Sequence, residues 1–135
     1  MKECIFCKII NREVPANIVY EDERVLAFLD INPISRGHTL IVPKKHYTDI
    51  YDVTEDYLKE MAVIAKKMSV AMKKGLGADG VNILHASGEA AQQSVFHFHI
   101  HLVPRYRGDK LDTWPKSRYK EKNLDKVAEE IKSAL

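Results

Sequence analysis

The chain has 135 residues, of which 45% are hydrophobic and 30% charged, with 21 basic against 19 acidic side chains. This length suits one domain that folds without disulfides, and a net charge of +2 is too small to favour DNA or RNA, so any nucleotide partner would be a small ligand. The amino terminus lacks the long apolar run of a signal peptide, and no apolar stretch reaches the length of a membrane span. We therefore expect a cytoplasmic protein.

Three short strands on close turns are predicted in the first part of the chain, at residues 18–20, 25–29 and 38–42. The spacing of apolar residues then changes to three and four, which predicts one long helix that begins after Thr54 and ends near Gly75. This helix presents more apolar surface than one small sheet needs for its own core, which favours a subunit contact. Its apolar face consists of Leu58, Met61, Ala65, Met68 and Met72.

Two further strands and a closing helix are predicted in the second part. The strands lie at residues 80–84 and 97–103 and are joined by a loop of small residues. The charged composition of residues 106–122 predicts an extended surface segment. The apolar spacing of residues 123–135 predicts a helix with an asparagine cap. Short sequential strands with inserted helices favour a single antiparallel α+β domain, with its core in residues 1–105.

Three of the six histidines fall in one short run, at His97, His99 and His101. Strict alternation puts their imidazoles on one face of a strand and apolar residues on the other. Neighbouring rings on such a face stand about 7 Å apart and the outer two about 13 Å, so one metal ion can take two of them but hardly three. The three histidines must therefore divide their roles, and a merely solvated strand face is the weaker interpretation.

Cys4 and Cys7 form a Cys-x-x-Cys pair. In a reducing compartment such a pair is either a redox couple or half of a zinc site. The flanking residues give no sign of the helix terminus that would lower a thiol pKa for redox chemistry. Structural zinc needs two further ligands, for which His46 and His97 are candidates.

His99 is the candidate nucleophile, because a neutral imidazole can attack near neutral pH and leave again in a second step. Its other ring nitrogen must then donate to a fixed oxygen. Ser94, Gln93 and Asn82 offer a hydroxyl and amides for a phosphate pocket, although each alone is more often a surface residue. Asp30 ends an apolar strand, where it is either a turn residue or a carboxylate that accepts both ribose hydroxyls.

Together these residues resemble the histidine triad (HIT) hydrolases, whose signature of alternating histidines and apolar residues is matched in full from His97 to Val103. Other segments look like the nucleoside-phosphoramidase and bacterial branch of that family, and the similarity spans roughly residues 4 to 105. These segments are Cys-Ile-Phe-Cys-Lys-Ile-Ile from Cys4, Leu-Ala-Phe-Leu-Asp-Ile from Leu26, Gly-His-Thr-Leu-Ile-Val-Pro-Lys-Lys-His from Gly37, and Gln-Ser-Val-Phe-His from Gln93.

The resemblance implies a five-stranded antiparallel sheet with two main helices, and a homodimer whose sheets join into one of ten strands. It implies a purine nucleotide as the small-molecule substrate, with neither nucleic acid nor membrane as a partner. It also implies one structural Zn²⁺ per chain, and no catalytic metal is required. The zinc ligands would be Cys4, Cys7, His46 and His97.

The resemblance also implies roles for individual residues. His99 would be the nucleophile, His101 would contact phosphate, and His38 would lie behind these two rings. Asp30 would take the ribose hydroxyls. The phosphate pocket would be lined by Asn82, Gln93 and Ser94, and the base would lie among Ile5, Phe6, Ile9, Phe28 and Ile31.

Gln92 and Trp114 are two positions at which the resemblance is weaker. Gln92 stands where relatives usually have glycine, and a side chain there would narrow or redirect the loop over the phosphate. Trp114 lies in the loosely similar carboxyl-terminal segment, which in the family can reach the partner's site. The first bears on substrate preference and rate, and the second on whether the site is shared between subunits.

The reaction implied by these roles is a two-step transfer at the α-phosphate of a purine nucleoside 5′-phosphoramidate or related conjugate, through a nucleotidyl-His99 intermediate. Ser94 would relay a proton to the departing amine, which is a poor leaving group when unprotonated. Three alternatives stay open. They are a dinucleoside polyphosphate hydrolase with the same nucleophile, a zinc-stabilised nucleotide-binding or interaction protein, and a metallohydrolase in which His97 and His99 chelate a catalytic zinc.

Overall fold

A computed structural model describes residues 3–135 of the chain, and they form one antiparallel five-stranded sheet with helices. The sheet order is β1-β2-β3-β5-β4, which confirms the predicted α+β class and the number of strands. None of the helices in these described residues is long and apolar enough to cross a bilayer. The elements are α1 (Ile5–Ile10), β1 (Ile18–Glu21), β2 (Val25–Leu29), β3 (Thr39–Pro43), α2 (Glu55–Leu76), β4 (Gly80–Leu84), β5 (Ile100–Arg105) and α3 (Leu124–Ala134).

The long helix α2 covers one face of the sheet. It includes Gly75 and ends at Leu76, just past the predicted end, because Gly77 adopts a left-handed conformation with φ of 68° and donates its backbone N–H to the Met72 carbonyl. The structure corrects the predicted apolar face, since Ile64 is also buried, whereas Leu58 and Met68 are only partly buried. The buried side chains of α2 pack on residues of β2, β3 and β5.

The short helix α1 covers part of the opposite face. Its apolar side chains Phe6 and Ile9 pack with Phe28 and Leu40 in a second core cluster. The helix begins after Cys4, whose sulfur accepts the backbone N–H of Cys7. This helix was not predicted, because six residues are too few for a helical period to show. The sheet is therefore buried on both faces where α1 and α2 overlap it.

The structure corrects the extent of the histidine strand. Regular pairing in β5 begins at Ile100, so His97 and His99 precede the strand. The chain leaves the ladder there because the Phe98 backbone N–H donates to the Tyr47 carbonyl at 2.6 Å. The alternation nevertheless holds, since Phe98 joins the core cluster under α2 while the Phe6 ring of α1 lies 5.1 Å from His99.

The carboxyl-terminal part lies at the surface. Residues 106–122, all within the described chain, contain no helix or strand. The Asn123 side chain then caps α3 by accepting the Lys126 N–H at 3.0 Å. Leu124 and Ile131 on the apolar side of α3 remain 72% and 60% exposed, so this face is not buried against the rest of the described chain.

Candidate active site and metal site

Most residues predicted for the nucleotide line a single cavity of about 420 Å³ between α1 and the sheet. Its walls are largely apolar, and Ile31 at its mouth is 84% exposed. A ligand would cover this isoleucine, which is otherwise an unusually exposed large apolar side chain. The predicted residues that the cavity brings together are Ile5, Phe6, Ile9, Phe28, Asp30, Ile31, Ser94, His99 and His101.

His99 is buried at the wall of this cavity, and its tautomer is set by the backbone. Its Nδ1 lies 2.7 Å from the carbonyl oxygen of His97. Because a carbonyl oxygen can only accept, Nδ1 carries the proton and Nε2 keeps its lone pair. Burial lowers the pKa of His99 and the His97 carbonyl opposes this, so the ring is neutral near neutral pH. The geometry thus provides the fixed oxygen that a histidine nucleophile was expected to need.

His101 lines the same cavity and is oriented by His38 behind it. The backbone N–H of Ile34 donates to Nδ1 of His38 at 3.1 Å, so the neutral His38 ring carries its proton on Nε2. That Nε2 lies 2.9 Å from Nδ1 of His101 and donates to it. The neutral His101 ring therefore carries its proton on Nε2 as a donor. Burial, followed by the charges of His99 and His38, lowers the pKa of His101 to about 4.

Asp30 directly follows β2, where its carboxylate makes a turn contact and lines the cavity. Its Oδ1 accepts the Asn32 backbone N–H at 2.8 Å, which is a turn contact. Its Oδ2 lies 3.7 Å from Nε2 of His38, and the carboxylate lines the cavity. One carboxylate oxygen of Asp30 therefore accepts a hydrogen bond within the turn, and the side chain still lines the cavity.

Two predicted phosphate contacts lie elsewhere. The Asn82 side chain accepts hydrogen bonds from Arg105 and Thr113, at 2.8 and 2.9 Å, and so anchors the start of the surface segment. The buried Gln93 amide accepts the Gly88 N–H and donates to the Thr48 carbonyl, which fixes the loop before the histidines. The Asn82 carbonyl oxygen and the whole Gln93 amide are thus engaged within the protein, and neither residue lines the cavity.

Ser94 and Gln92 lie on either side of Gln93 in this loop. Ser94 is exposed and lines the cavity. Gln92 adopts the left-handed region with φ of 68°, where glycine is preferred, and its side chain is exposed. The backbone conformation therefore explains why glycine suits this position.

Sequence reasoning missed part of the cavity wall. Val14, Pro15 and Ala16, in the turn between α1 and β1, line it together with Leu40 and Val95. No sequence pattern in these turn residues predicts a ligand contact, because only the packing of α1 on the sheet brings them to the cavity. The sequence also provided no reason to assign a role to His85.

The second group of predicted residues forms a possible metal site. One ligand atom each from Cys4, Cys7, His46 and His97 lies within 4.8 Å of all the others. Nδ1 of His97 is 3.4 Å from the Cys4 sulfur and 3.6 Å from the Cys7 sulfur, and Nδ1 of His46 is 3.4 Å from the Cys7 sulfur. A tetrahedral zinc with Zn–N and Zn–S bonds of about 2.0 and 2.3 Å places its ligand atoms about 3.3–3.8 Å apart.

The protonation of this group also suits a cation. Nε2 of His97 lies 2.9 Å from the Pro43 carbonyl and carries the proton, so Nδ1 presents a lone pair to the two sulfurs. Burial and the neighbouring Cys4 raise the pKa of Cys7 to about 11, so two adjacent thiolates require a nearby positive charge. The residues present therefore fit structural zinc, whereas the His97 nitrogen that a His97–His99 chelate would need points at the cysteines.

Comparison with known proteins gives the class to which this fold and site belong. A family model described as the HIT domain matches residues 11–108, and the chain belongs to the HIT family. Its fold is that of the family's nucleotide-binding hydrolases.

Individual relatives cover nearly the whole chain. An uncharacterized HIT-like protein of Methanocaldococcus jannaschii is 51% identical over 96% of this chain and 98% of its own. Adenylylsulfatase HINT3 of Arabidopsis thaliana is 39% identical over 98% of this chain and 68% of its own.

Solved structures agree with these matches. The crystal structure of a HIT family protein from Bacillus anthracis has a TM-score of 0.89 and 41% identity, and the match covers 99% of this chain and 98% of that one. A zinc-bound histidine triad family protein from Mycobacterium smegmatis has a TM-score of 0.79 and 38% identity, and the match covers 98% of both chains.

Proposed function

We propose that the protein is a nucleotide hydrolase that cleaves purine nucleoside 5′-phosphoramidates, or related nucleotide conjugates, at the α-phosphate through a covalent nucleotidyl-His99. The observation that carries this proposal is the 2.7 Å contact between Nδ1 of His99 and the His97 carbonyl. It leaves Nε2 as a neutral nucleophile in a residue that lines the cavity. Adenylyl sulfate, for which the Arabidopsis relative is named, is one conjugate of this class.

In the first step Nε2 of His99 attacks the α-phosphorus and the amine departs with the electrons of the phosphorus–nitrogen bond. His101, with its proton on Nε2, donates to a nonbridging phosphate oxygen and stabilises the charge that develops there. The exposed Ser94 hydroxyl relays a proton from solvent to the departing amine, receiving one as it gives up its own. Water then attacks the nucleotidyl-histidine and releases the mononucleotide and the free imidazole.

The rest of the cavity holds the nucleoside. The base lies among the apolar side chains of α1 and β2, chiefly Phe6 and Phe28, whose rings already pack edge to face at 5.5 Å. Asp30 accepts the ribose hydroxyls with the carboxylate oxygen that the turn leaves free. This division, with apolar groups for the base and polar groups for the phosphate, is typical of small-molecule sites.

We further propose that Cys4, Cys7, His46 and His97 hold one structural zinc ion per chain. When bound, the ion ties the start of α1 to the segments before α2 and β5, and it takes no part in the chemical steps. The similar protein from Mycobacterium smegmatis is zinc-bound, which supports this assignment. The two thiols require a reducing compartment, so we propose that the protein works in the cytoplasm.

A homodimer is also proposed. Strand β4 is at the edge of the sheet and its Ile83 is 55% exposed, and Met68 of α2 lines an open apolar groove. A two-fold pairing of β4 would give one ten-stranded sheet, with Trp114 near the partner's site. Met68 faces β1–β3, whereas the exposed Val70 of α2 lies beside Val81 of β4, so Val70→Glu places a charge next to the proposed pairing and should dissociate the dimer. Sedimentation showing a monomeric parent at high micromolar concentration would exclude the dimer.

The proposed activity is tested by steady-state hydrolysis of an adenosine 5′-phosphoramidate that carries a fluorescent amine. Diadenosine tetraphosphate and adenylyl sulfate are measured in parallel, because they share the α-phosphate and differ in the leaving group. We expect turnover of the phosphoramidate, with Glu89→Gln as a surface control that retains it. Tight binding with no turnover of any of the three would contradict the proposal and favour a nucleotide-binding protein, whereas preference for the tetraphosphate would favour a dinucleoside polyphosphate hydrolase.

A further inference from the structure

The backbone that carries His99 lies just outside the sheet. The last residue pair between β4 and β5 is Leu84 with His101, and the last between β3 and β5 is Ile41 with Ile100. His99 therefore has no partner in the strand pairing of the described chain. Its carbonyl needs another donor if the peptide unit is to stay fixed.

The side chain of His85 supplies that donor. It follows β4 directly, and its Nδ1 lies 2.8 Å from the carbonyl oxygen of His99. Because the carbonyl can only accept, Nδ1 of His85 carries the proton. This side-chain bond takes the place of the backbone bond that a longer β4 would have made.

The ring of His85 is itself held on its other side. Its Nε2 contacts the hydroxyl of Ser87, and that hydroxyl accepts the Ile50 backbone N–H at 2.9 Å. Since Nδ1 of His85 already holds the proton, Nε2 accepts and the Ser87 hydroxyl donates. The ring also packs on Phe98 with its centroid 4.5 Å away. Both nitrogens of the His85 ring are hydrogen-bonded and one face packs on Phe98, so the ring has a fixed position although the residue is exposed to solvent.

We propose that His85 is a positioning residue for His99, which acts by holding the backbone carbonyl of the nucleophile. This inference rests on the proposed role of His99. The His99 ring is oriented by the His97 carbonyl, so the distance between Nε2 and the α-phosphorus depends on how firmly residues 97–99 are held. The Phe98 N–H bond to Tyr47 fixes one side of this segment, and His85 fixes the other.

Two substitutions separate the hydrogen bond from the packing. His85→Phe keeps an aromatic ring over Phe98 and removes both nitrogens. His85→Asn loses the ring, but its side-chain amide N–H occupies the place of Nδ1 and can still donate to His99. We expect His85→Phe to lower kcat for the phosphoramidate about 10- to 100-fold, as a small misplacement of a nucleophile does, with KM within about threefold of the parent. His85→Asn should restore kcat to within about threefold of the parent.

A second measurement does not depend on turnover. In protein labelled with ¹⁵N-histidine, the His99 Nδ1–H signal should move in His85→Phe and keep its parent position in His85→Asn and in the surface control Glu89→Gln. Unchanged kcat and an unchanged His99 signal in His85→Phe would overturn the proposal, as would equal loss of kcat in both His85 variants. If the parent shows no turnover, the proposed function fails, while the His99 signal still decides whether His85 positions that residue.

Discussion

Replacement of Cys7 by serine should remove the structural zinc and lower the melting temperature by about 10 °C. The Cys7 sulfur is the ligand atom that lies near both histidines, 3.4 Å from Nδ1 of His46 and 3.6 Å from Nδ1 of His97. Serine keeps the volume but gives no thiolate, so three ligand atoms remain where structural zinc needs four.

The expected fall in melting temperature follows from zinc binding to the folded protein and not to the unfolded chain. Zinc present at about 100 times its dissociation constant stabilises the fold by about 2.7 kcal/mol. For a chain of this length 1 kcal/mol corresponds to roughly 3–5 °C in melting temperature, so loss of the ion costs about 8–13 °C. Exchange of the Cys7 thiol for a hydroxyl at a partly buried position adds about 1 kcal/mol or less.

The assay is a cycle of four melting curves, from the parent and Cys7→Ser, each with and without a strong chelator, beside metal analysis of both proteins. We expect close to one zinc per chain in the parent and a marked loss in the variant. The chelator should lower the parent to within about 5 °C of the variant, the remainder being the direct effect of the exchange, and should leave the variant unchanged. A gap between parent and variant that persists undiminished in chelator would show that Cys7 acts through packing and would refute the metal site.

Three further predictions concern single residues. His99→Ala should lower kcat by at least about 1,000-fold and leave the zinc content unchanged, as loss of a covalent nucleophile does, and a steady-state rate within tenfold of the parent would contradict this. In ¹⁵N NMR at pH 6, His101 should be neutral with its proton on Nε2, because its pKa is lowered to about 4. As the pH falls, His101 of the unfolded chain, with an ordinary histidine pKa, becomes protonated before His101 of the folded protein. His101 therefore leaves stability unaffected above about pH 6.5 and lowers it as the pH falls toward 4. A cationic His101 ring at pH 6 would argue against the His38 contact. Gln92→Gly should raise the free energy of unfolding by up to about 1 kcal/mol in urea titrations, because it relieves a φ of 68°, and Gln92→Ala, which keeps the strain, should give no such gain.

The periodic parts of the fold were predictable from the sequence. Residues 25–29 and 80–84 form strands with the predicted bounds, and the helix over the methionine-rich face ends at Leu76, directly before Gly77. These elements follow from local apolar spacing and from backbone preferences that act over a few residues. Helix α1 lacked such a signal, and it became visible only through its packing on the sheet.

The site was predictable in composition but less so in detail. Alternation placed the three histidines on one side, yet it could not show that the chain leaves the sheet before Ile100, because a bond to the distant Tyr47 carbonyl decides that. The sequence does not reveal that Arg105 holds the Asn82 carbonyl oxygen or that the Gln93 amide donates to the Thr48 carbonyl. Hydrogen bonds between residues far apart in the chain thus decide where these polar side chains lie.

The central claim is that His99 becomes covalently nucleotidylated during turnover. The most direct test is rapid mixing of the parent with an adenosine 5′-phosphoramidate, followed by quenching and digestion at neutral to alkaline pH, which preserves a phosphorus–nitrogen bond to histidine. Mass spectrometry should find one adenylyl group per active chain, on the peptide that contains His99, and none in His99→Ala. Turnover by the parent with no adduct at any time, or with the adduct on another residue, would contradict the account.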